Sequence, residues 1–175
     1  MKKPQENTDN PNEIFDVVDE NDRVIGRATR AQCHQNPNLI HRSIHVLVFN
    51  AGRELFLQKR ARTKDVCPGL WAMSVSGHVD PGESYLSAAE RETKEEIGVS
   101  LSLKYLDTCL LKSETETEFS AVFMAESEGP FQLNEREIET GGFFSLNDIK
   151  NKLWKDIAPP SRDVLAHVMK KGMVV

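Results

Sequence analysis

Cysteine is scarce: Cys33, Cys67 and Cys109 are the only three in 175 residues, and no two form a CxxC pair. An odd, scattered set builds neither a disulfide framework nor a thiolate zinc site. It suits a reduced intracellular setting, so a cytoplasmic location is expected. Basic blocks are missing as well. Lys and Arg total 22 against 27 Asp and Glu, a net charge of -5, which points to neither a nucleic acid nor a membrane surface as partner. No apolar run is long enough to span a bilayer. "MKKPQENTDNPNE" starts basic but lacks the apolar stretch of a signal peptide. Its Pro, Asn and Glu content reads as a flexible tail over residues 1–13, leaving 14–175 as a single domain. There is no internal repeat and no second linker.

What is present alternates between strands and helices. "IFDVVDENDRVIGRATR" reads as two strands around a polar turn at Glu20 to Asp22, followed by a short helical or irregular linker that ends at Pro37. "SIHVLVFN-AGR-ELFLQKRA" reads as a hairpin turning at Asn50, Ala51 and Gly52. After a loop with a Pro-Gly turn, "AMSVSGHV" returns as a strand. A helix is expected from about Ser84 to Ile97, closed by Gly98, with Leu86, Ala89, Thr93 and Ile97 as its buried stripe. Three more strands follow, within "LSLKYLDTCLLK", "TEFSAVFMAE" and "ETGGFFSL", and then two helices. The pattern is α+β: a mixed, mainly antiparallel sheet with helices packed on it.

The helix carries the chemistry. Glu92, Glu95 and Glu96 are spaced i,i+3 and i,i+4, so they share one side, where like charges repel unless something neutralises them. Hard carboxylate oxygens suit Mg²⁺ or Mn²⁺, which bind diphosphate oxygens and stabilise charge in phosphoryl displacement. A solvated acidic face would also place glutamates so. Against that bland reading stands the fixed pattern G-x5-E-x7-R-E-x-x-E-E-x-G-V, running from Gly77 through Glu83 and Arg91 to Gly98 and Val99.

These positions resemble the Nudix box, the signature of the Nudix hydrolases. Thr93 stands where that family usually has a large aliphatic residue. The resemblance implies an α/β/α sandwich and a small-molecule substrate, a nucleoside diphosphate linked to another moiety. Glu92, Glu95 and Glu96 would hold metal, and Arg91 would orient a glutamate by salt bridge.

A wider likeness runs over about residues 14 to 125. "ATRAQCHQNPNLIHRSIHVLVFN", "LQKRARTKDVCPGLW" and "SVSGHVDPGES" resemble isopentenyl-diphosphate isomerase, an enzyme of the same fold. By that likeness His34, His41, His78, Glu116 and Glu118 would form a second metal site, and Arg60 and Lys64 would meet the diphosphate. Mixed imidazole and carboxylate ligands suit Mn²⁺ or Zn²⁺. Glu116 and Glu118, two apart on a strand, share a face. Read without the resemblance, residues so far apart in sequence are separate surface or core groups. His45 matches no ligand and reads as packing; His167 reads as surface. Two departures separate the chain from the isomerases. Ser76 stands where they need a cysteine, and "APPS" stands where they place an aromatic near the C-terminal helix. Hydrolysis on an isomerase-like scaffold is therefore the leading expectation, with isomerisation second and a box-bearing binding module third.

Overall fold

The computed structural model describes residues 9–174. A small hairpin, β1 (Ile14–Val18) and β2 (Val24–Thr29), leads into a single helical turn, α1 (Arg30–Cys33), whose N-terminus is closed by a Thr29–Gln32 capping box. The body is a seven-stranded sheet: β3 (His41–Phe49), β4 (Leu55–Arg60), β5 (Trp71–Ala72), β6 (Val75–His78), β7 (Lys104–Lys112), β8 (Thr117–Glu126) and β9 (Ile138–Phe144). Only β3 and β8 run parallel; the other pairings are antiparallel. Helix α2 (Tyr85–Ile97) covers one face. An irregular stretch from α3 (Leu146–Asp148) through wide and tight turns to Asp156, and then α4 (Pro159–Lys170), cover the other. This is the helix–sheet–helix sandwich expected, with a mixed, mainly antiparallel sheet.

Because both faces are covered, the central strands lose the half-polar alternation of an open sheet. Ile44, Val46 and Val48 of β3 pack toward α2, and Leu47 packs toward α4. In β4 the run Leu55 to Gln58 is buried throughout. Helix α2 starts at the Ser84 N-cap and stops at Gly98, whose φ of 73° needs a glycine. Its buried side is Ala88, Ala89, Thr93, Glu96 and Ile97. Leu86, expected in the stripe, is 45 % exposed instead. It lies on the flank of the buried side, whereas Tyr85 and Ala88 of the same turn pack inward. Thr93 is fully buried and returns its hydroxyl to the Ala89 carbonyl at 2.6 Å, so its polar atom is satisfied inside the helix.

The expected hairpin of β3 and β4 closes at its turn and then opens. Their only register pair is Phe49 with Leu55. Lower down, β6 takes the place beside β3, pairing Ser43–Val46 with His78–Val75, while β4 pairs with β9 and β5. The divergence of β4 from β6 leaves a split in the sheet, and the functional cavity forms around it. Residues 9–13, within the stretch read as a tail, are tied down: the Ala31 and Arg30 amides donate to the Pro11 and Glu13 carbonyls, and Asp9 takes part in a cluster described below. Residues 1–8 lie outside the described ones.

Candidate active site and metal-binding clusters

The carboxylates of α2 reach the split from the helix side. Gly77 of β6 makes room: a Cβ there would lie 2.3 Å from the Glu92 carboxyl carbon. Arg91 pins the group. It forks onto Glu83 at 3.1 and 2.9 Å, donates to Glu92 at 2.7 Å and to the His78 carbonyl at 3.1 Å, and touches Glu95 at 3.5 Å. Glu96 goes deepest. It is 4 % exposed and accepts from the Gln58 amide at 2.7 Å and the Ser76 backbone N–H at 3.2 Å. Ser76, where the isomerases need a cysteine, thus holds Glu96 through its main chain. Burial pushes the Glu92 carboxyl up to about 7, and pushes Glu96 well above the usual carboxylate range, with Glu92 and Glu137 adding repulsion. Glu95 differs, its side chain being 56 % exposed.

The histidine cluster comes from four places in the chain. His34 follows α1, His41 opens β3, His78 ends β6, and Glu116 and Glu118 lie at the start of β8. Parallel pairing sets His41 beside Glu118. Ring nitrogens of the three histidines lie within 4.8 Å of one another. His34 Nε2 is 3.5 Å from Glu116 and His41 Nε2 is 3.7 Å from Glu118. All five residues named from sequence are therefore together. Desolvation holds His34 down to about 4 and His41 to about 3, and His78 well below its usual value, so the rings are neutral, as metal ligands must be. Glu118 is pushed up to about 7 by burial and by Glu116.

This donor set fits a cation. His41 Nε2, fully buried, has no hydrogen-bond partner among the described residues. The His34 and His78 Nε2 atoms face each other at 3.3 Å. Arg30 Nη1 lies 3.2 Å from His78 Nδ1 and can only donate, so the His78 proton sits on Nε2, between the two rings. The rings being neutral, a cation there would bind ring lone pairs, with the His78 proton moved to Nδ1 and none released by the histidines.

Both clusters open onto one cavity of about 390 Å³. Arg60 lines it, with Nε on the Val66 carbonyl at 3.0 Å. The Lys64 ammonium lies between Asp9 and Glu137, at 2.5 and 3.1 Å. Asp9 also pairs with Arg30 at 3.6 Å, and Arg30 forks onto Asp65. Asp9, Arg30, Gln58 and Glu137 were given no role from the sequence: only folding sets Asp9, Arg30 and Glu137 on the cavity and Gln58 on Glu96. Cys67, beside Pro68, is also on the wall, with φ of 51° and its thiol pushed up by burial. All three cysteines are free thiols. Trp71 packs edge-on against Phe144 at 5.1 Å, and Trp154 packs on the core below α4. His167 pairs with Asp107 at 2.7 Å, away from the cavity. No helix among the described residues is long and apolar enough to cross a membrane.

Residues 39–168 match the NUDIX domain model. The chain belongs to the Nudix family. The isopentenyl-diphosphate Delta-isomerase of Streptomyces avermitilis is 33 % identical over 150 residues, covering 82 % of this chain and 76 % of that one. An uncharacterized Nudix hydrolase of Pseudomonas aeruginosa is 35 % identical over 132 residues, covering 75 % and 78 %. The crystal structure of DR0079 from Deinococcus radiodurans matches with a TM-score of 0.75 at 23 % identity, over 89 % of this Nudix chain and 98 % of that one, a likeness of fold.

Proposed function

We propose that this Nudix protein is a divalent-metal-dependent pyrophosphohydrolase that cleaves a diphosphate linkage in a nucleotide or related small molecule. The carrying observation is the intact acidic set, Glu92 and Glu95 held by Arg91 and Glu96 held by Gln58 and the Ser76 amide, turned into the same cavity as the histidine cluster. Carboxylates gathered this closely and this deeply ionise fully only against added positive charge. Mg²⁺ or Mn²⁺ at the helix carboxylates, and Mn²⁺ or Zn²⁺ at His34, His41, His78, Glu116 and Glu118, would supply that charge, neutralise diphosphate oxygens and make water more acidic.

The chain's own residues do the rest. Arg91 fixes Glu92 through a short hydrogen bond while itself anchored by Glu83 and the His78 carbonyl. Gln58 and the Ser76 amide fix Glu96. Arg60 and Lys64 meet the phosphates, with Lys64 exchanging Asp9 or Glu137 for a phosphate oxygen. A carboxylate of α2 accepts the proton of the attacking water.

One observation favours a second reading, isopentenyl-diphosphate isomerisation: a thiol, Cys67, lies on the cavity wall. Burial keeps that thiol protonated at neutral pH. Against isomerisation, no Phe, Tyr or Trp lines the cavity among the described residues; Ala158, Pro160 and Ser161 occupy the α4 end. Nothing there would stabilise a carbocation through a ring face. The deciding test is a panel of nucleotide and prenyl diphosphates with Mg²⁺ and Mn²⁺, assayed for released phosphate products and for deuterium uptake from heavy water. Phosphate release without uptake supports the hydrolase. Uptake into isopentenyl diphosphate at an enzymatic rate overturns it.

A further inference from the structure

Strand β3 alternates its side chains, so His41, Ser43, His45 and Leu47 share the face toward α4. His41 belongs to the histidine cluster and Leu47 to the core under α4. His45 stands between them, about 13 Å along the strand from His41. The sequence gives it no ligand role, and packing alone would explain a buried histidine. The geometry is more specific. His45 is 3 % exposed, yet its ring lines the cavity. Its Nδ1 is 2.8 Å from the Ser120 hydroxyl, which is itself fully buried on β8. No described group hydrogen-bonds its other ring nitrogen, Nε2. An imidazole has no further polar atom, so the nitrogen opposite Ser120 is the one left for a bound molecule.

Register gives its height in the cavity. His45 pairs with Ser76, whose amide holds Glu96. It is therefore level with the deepest helix carboxylate and faces the other side of the sheet. The cations Arg30, Arg60, Lys64 and Arg91 line the same cavity, whereas its α4 end, at Ala158, Pro160 and Ser161, carries no charge. A diphosphate held between the clusters would carry its organic substituent past His45.

We propose that His45 is a specificity-determining residue: its Nε2, with Nδ1 fixed by Ser120, hydrogen-bonds a polar group on the organic moiety next to the diphosphate, so that the site takes nucleoside- or sugar-type diphosphates and rejects prenyl ones. This rests on the diphosphate reading above and names its substrate class. The physical reason is asymmetry. A buried polar atom that meets a hydroxyl or ring nitrogen is satisfied, while one covered by hydrocarbon loses its hydration and gains nothing. Ser120 can donate to Nδ1 or accept from it, so Nε2 serves an acceptor or a donor on the substrate with equal ease. Burial and the nearby Arg60 charge keep the ring neutral, which leaves that choice open.

The test is binding rather than turnover. The Mg²⁺-loaded full chain is titrated by calorimetry with ADP and with isopentenyl diphosphate, two probes alike in their diphosphate and different beyond it, and with α,β-methylene-ADP as the non-hydrolysable control. The nucleotide should bind more tightly. His45→Leu should lower its affinity about tenfold and leave the prenyl probe nearly unchanged, and His45→Gln should keep most of the preference. In the native protein the ¹⁵N resonances of the His45 ring should shift with the nucleotide, a readout that requires no variant to fold. Equal loss for both probes in His45→Leu, a native preference for the prenyl probe, an unmoved ring resonance, or no binding of either probe overturns the assignment. Selective binding without hydrolysis of any nucleotide diphosphate retires the hydrolase reading and leaves His45 in place.

Discussion

The two clusters around the cavity are opposites in construction. The carboxylate face is local: Glu92, Glu95 and Glu96 lie within two turns of α2, and Arg91 on the same helix holds the first two. The histidine cluster is assembled from α1, β3, β6 and β8, spanning residues 34 to 118. Burial also acts with opposite outcomes on the histidines and on the glutamates, Glu118 of the histidine cluster included. Desolvation disfavours charge, so it leaves His34 and His41 neutral, their ligand form, but it raises Glu92 and Glu96 toward protonation, away from theirs. The histidines are prepared for a soft or borderline cation before it arrives. The glutamates become ligands through the cation's charge.

The largest expected effect breaks the carboxylate side. Glu96→Gln should lower hydrolysis at least about a hundredfold while leaving the unfolding midpoint nearly unchanged. The fold survives because Gln resembles the protonated carboxyl that burial already favours, and Gln58 and the Ser76 amide can still donate to its oxygen. Near-normal turnover would mean that α2 presents only a solvated acidic face. Glu95→Gln is expected to lose activity as much, although its exposure differs.

Next is Gly77→Ala, which adds one methyl at the Glu92 carboxyl. The Glu92 side chain must leave its pocket. Mg²⁺-dependent activity should fall about tenfold or more, with a stability loss of about 1–3 kcal/mol from overpacking. Retained activity at full stability would show that Glu92 does not need the position it has here.

The histidine side is tested by occupancy. A Mn²⁺ or Zn²⁺ soak should give an anomalous peak among His34, His41, His78, Glu116 and Glu118, with nitrogen–metal distances of about 2.0–2.3 Å. With the rings already neutral, a proton released on titration in weak buffer near pH 7 should come from Glu118, and Glu118→Gln should abolish that release. A peak elsewhere, or release that persists in Glu118→Gln, would remove the contrast between the clusters.

The smallest effect is on stability against pH in the presence of a chelator. His34 and His41 have folded values near 4 and 3, below the unfolded 6.5, so their contribution is full above 6.5 and is lost as pH falls. Glu92 and Glu118 have folded values near 7, above the unfolded 4.5, so theirs is full below 4.5 and is lost as pH rises toward 7. Between pH 5 and 6.5 the two slopes oppose and the melting midpoint should change little. In Glu92→Gln/Glu118→Gln only Glu96 of these carboxyls still opposes the histidines, whose slope should prevail, and the midpoint should fall on acidification. An unchanged profile in that variant would contradict the assigned burial effects.

Much of this followed from residue spacing. The helix carboxylates were legible because an α-helix brings i, i+3 and i+4 together in any protein that forms it, and Ser84 and Gly98 mark its ends. The strands were legible from apolar runs, and the mixed sheet from their count. The histidine set came only through likeness to a family, since spacing across 84 residues of chain implies no contact. His45 was read as packing, which burial alone allows; its place on the cavity wall depends on Ser120, 75 positions away. Leu86 has a periodicity that fits the interior, but the buried side of α2 is centred on Tyr85, Ala88 and Ala89, and Leu86 lies on its flank.

The sequence by itself determined the layered α+β fold and the acidic helix, which rest on hydrophobic pattern and local geometry, while the Arg91 clamp came through likeness to a family. Only the tertiary structure decided that β4 parts from β3 after one register pair and β6 takes its place, so that Glu96 enters the split and both clusters share a cavity. It alone placed Asp9 and Glu137 on Lys64 and set Arg30 against His78. Strand partnership and the burial of charge depend on contacts between segments far apart in the chain, and their energies exist only once those segments have met.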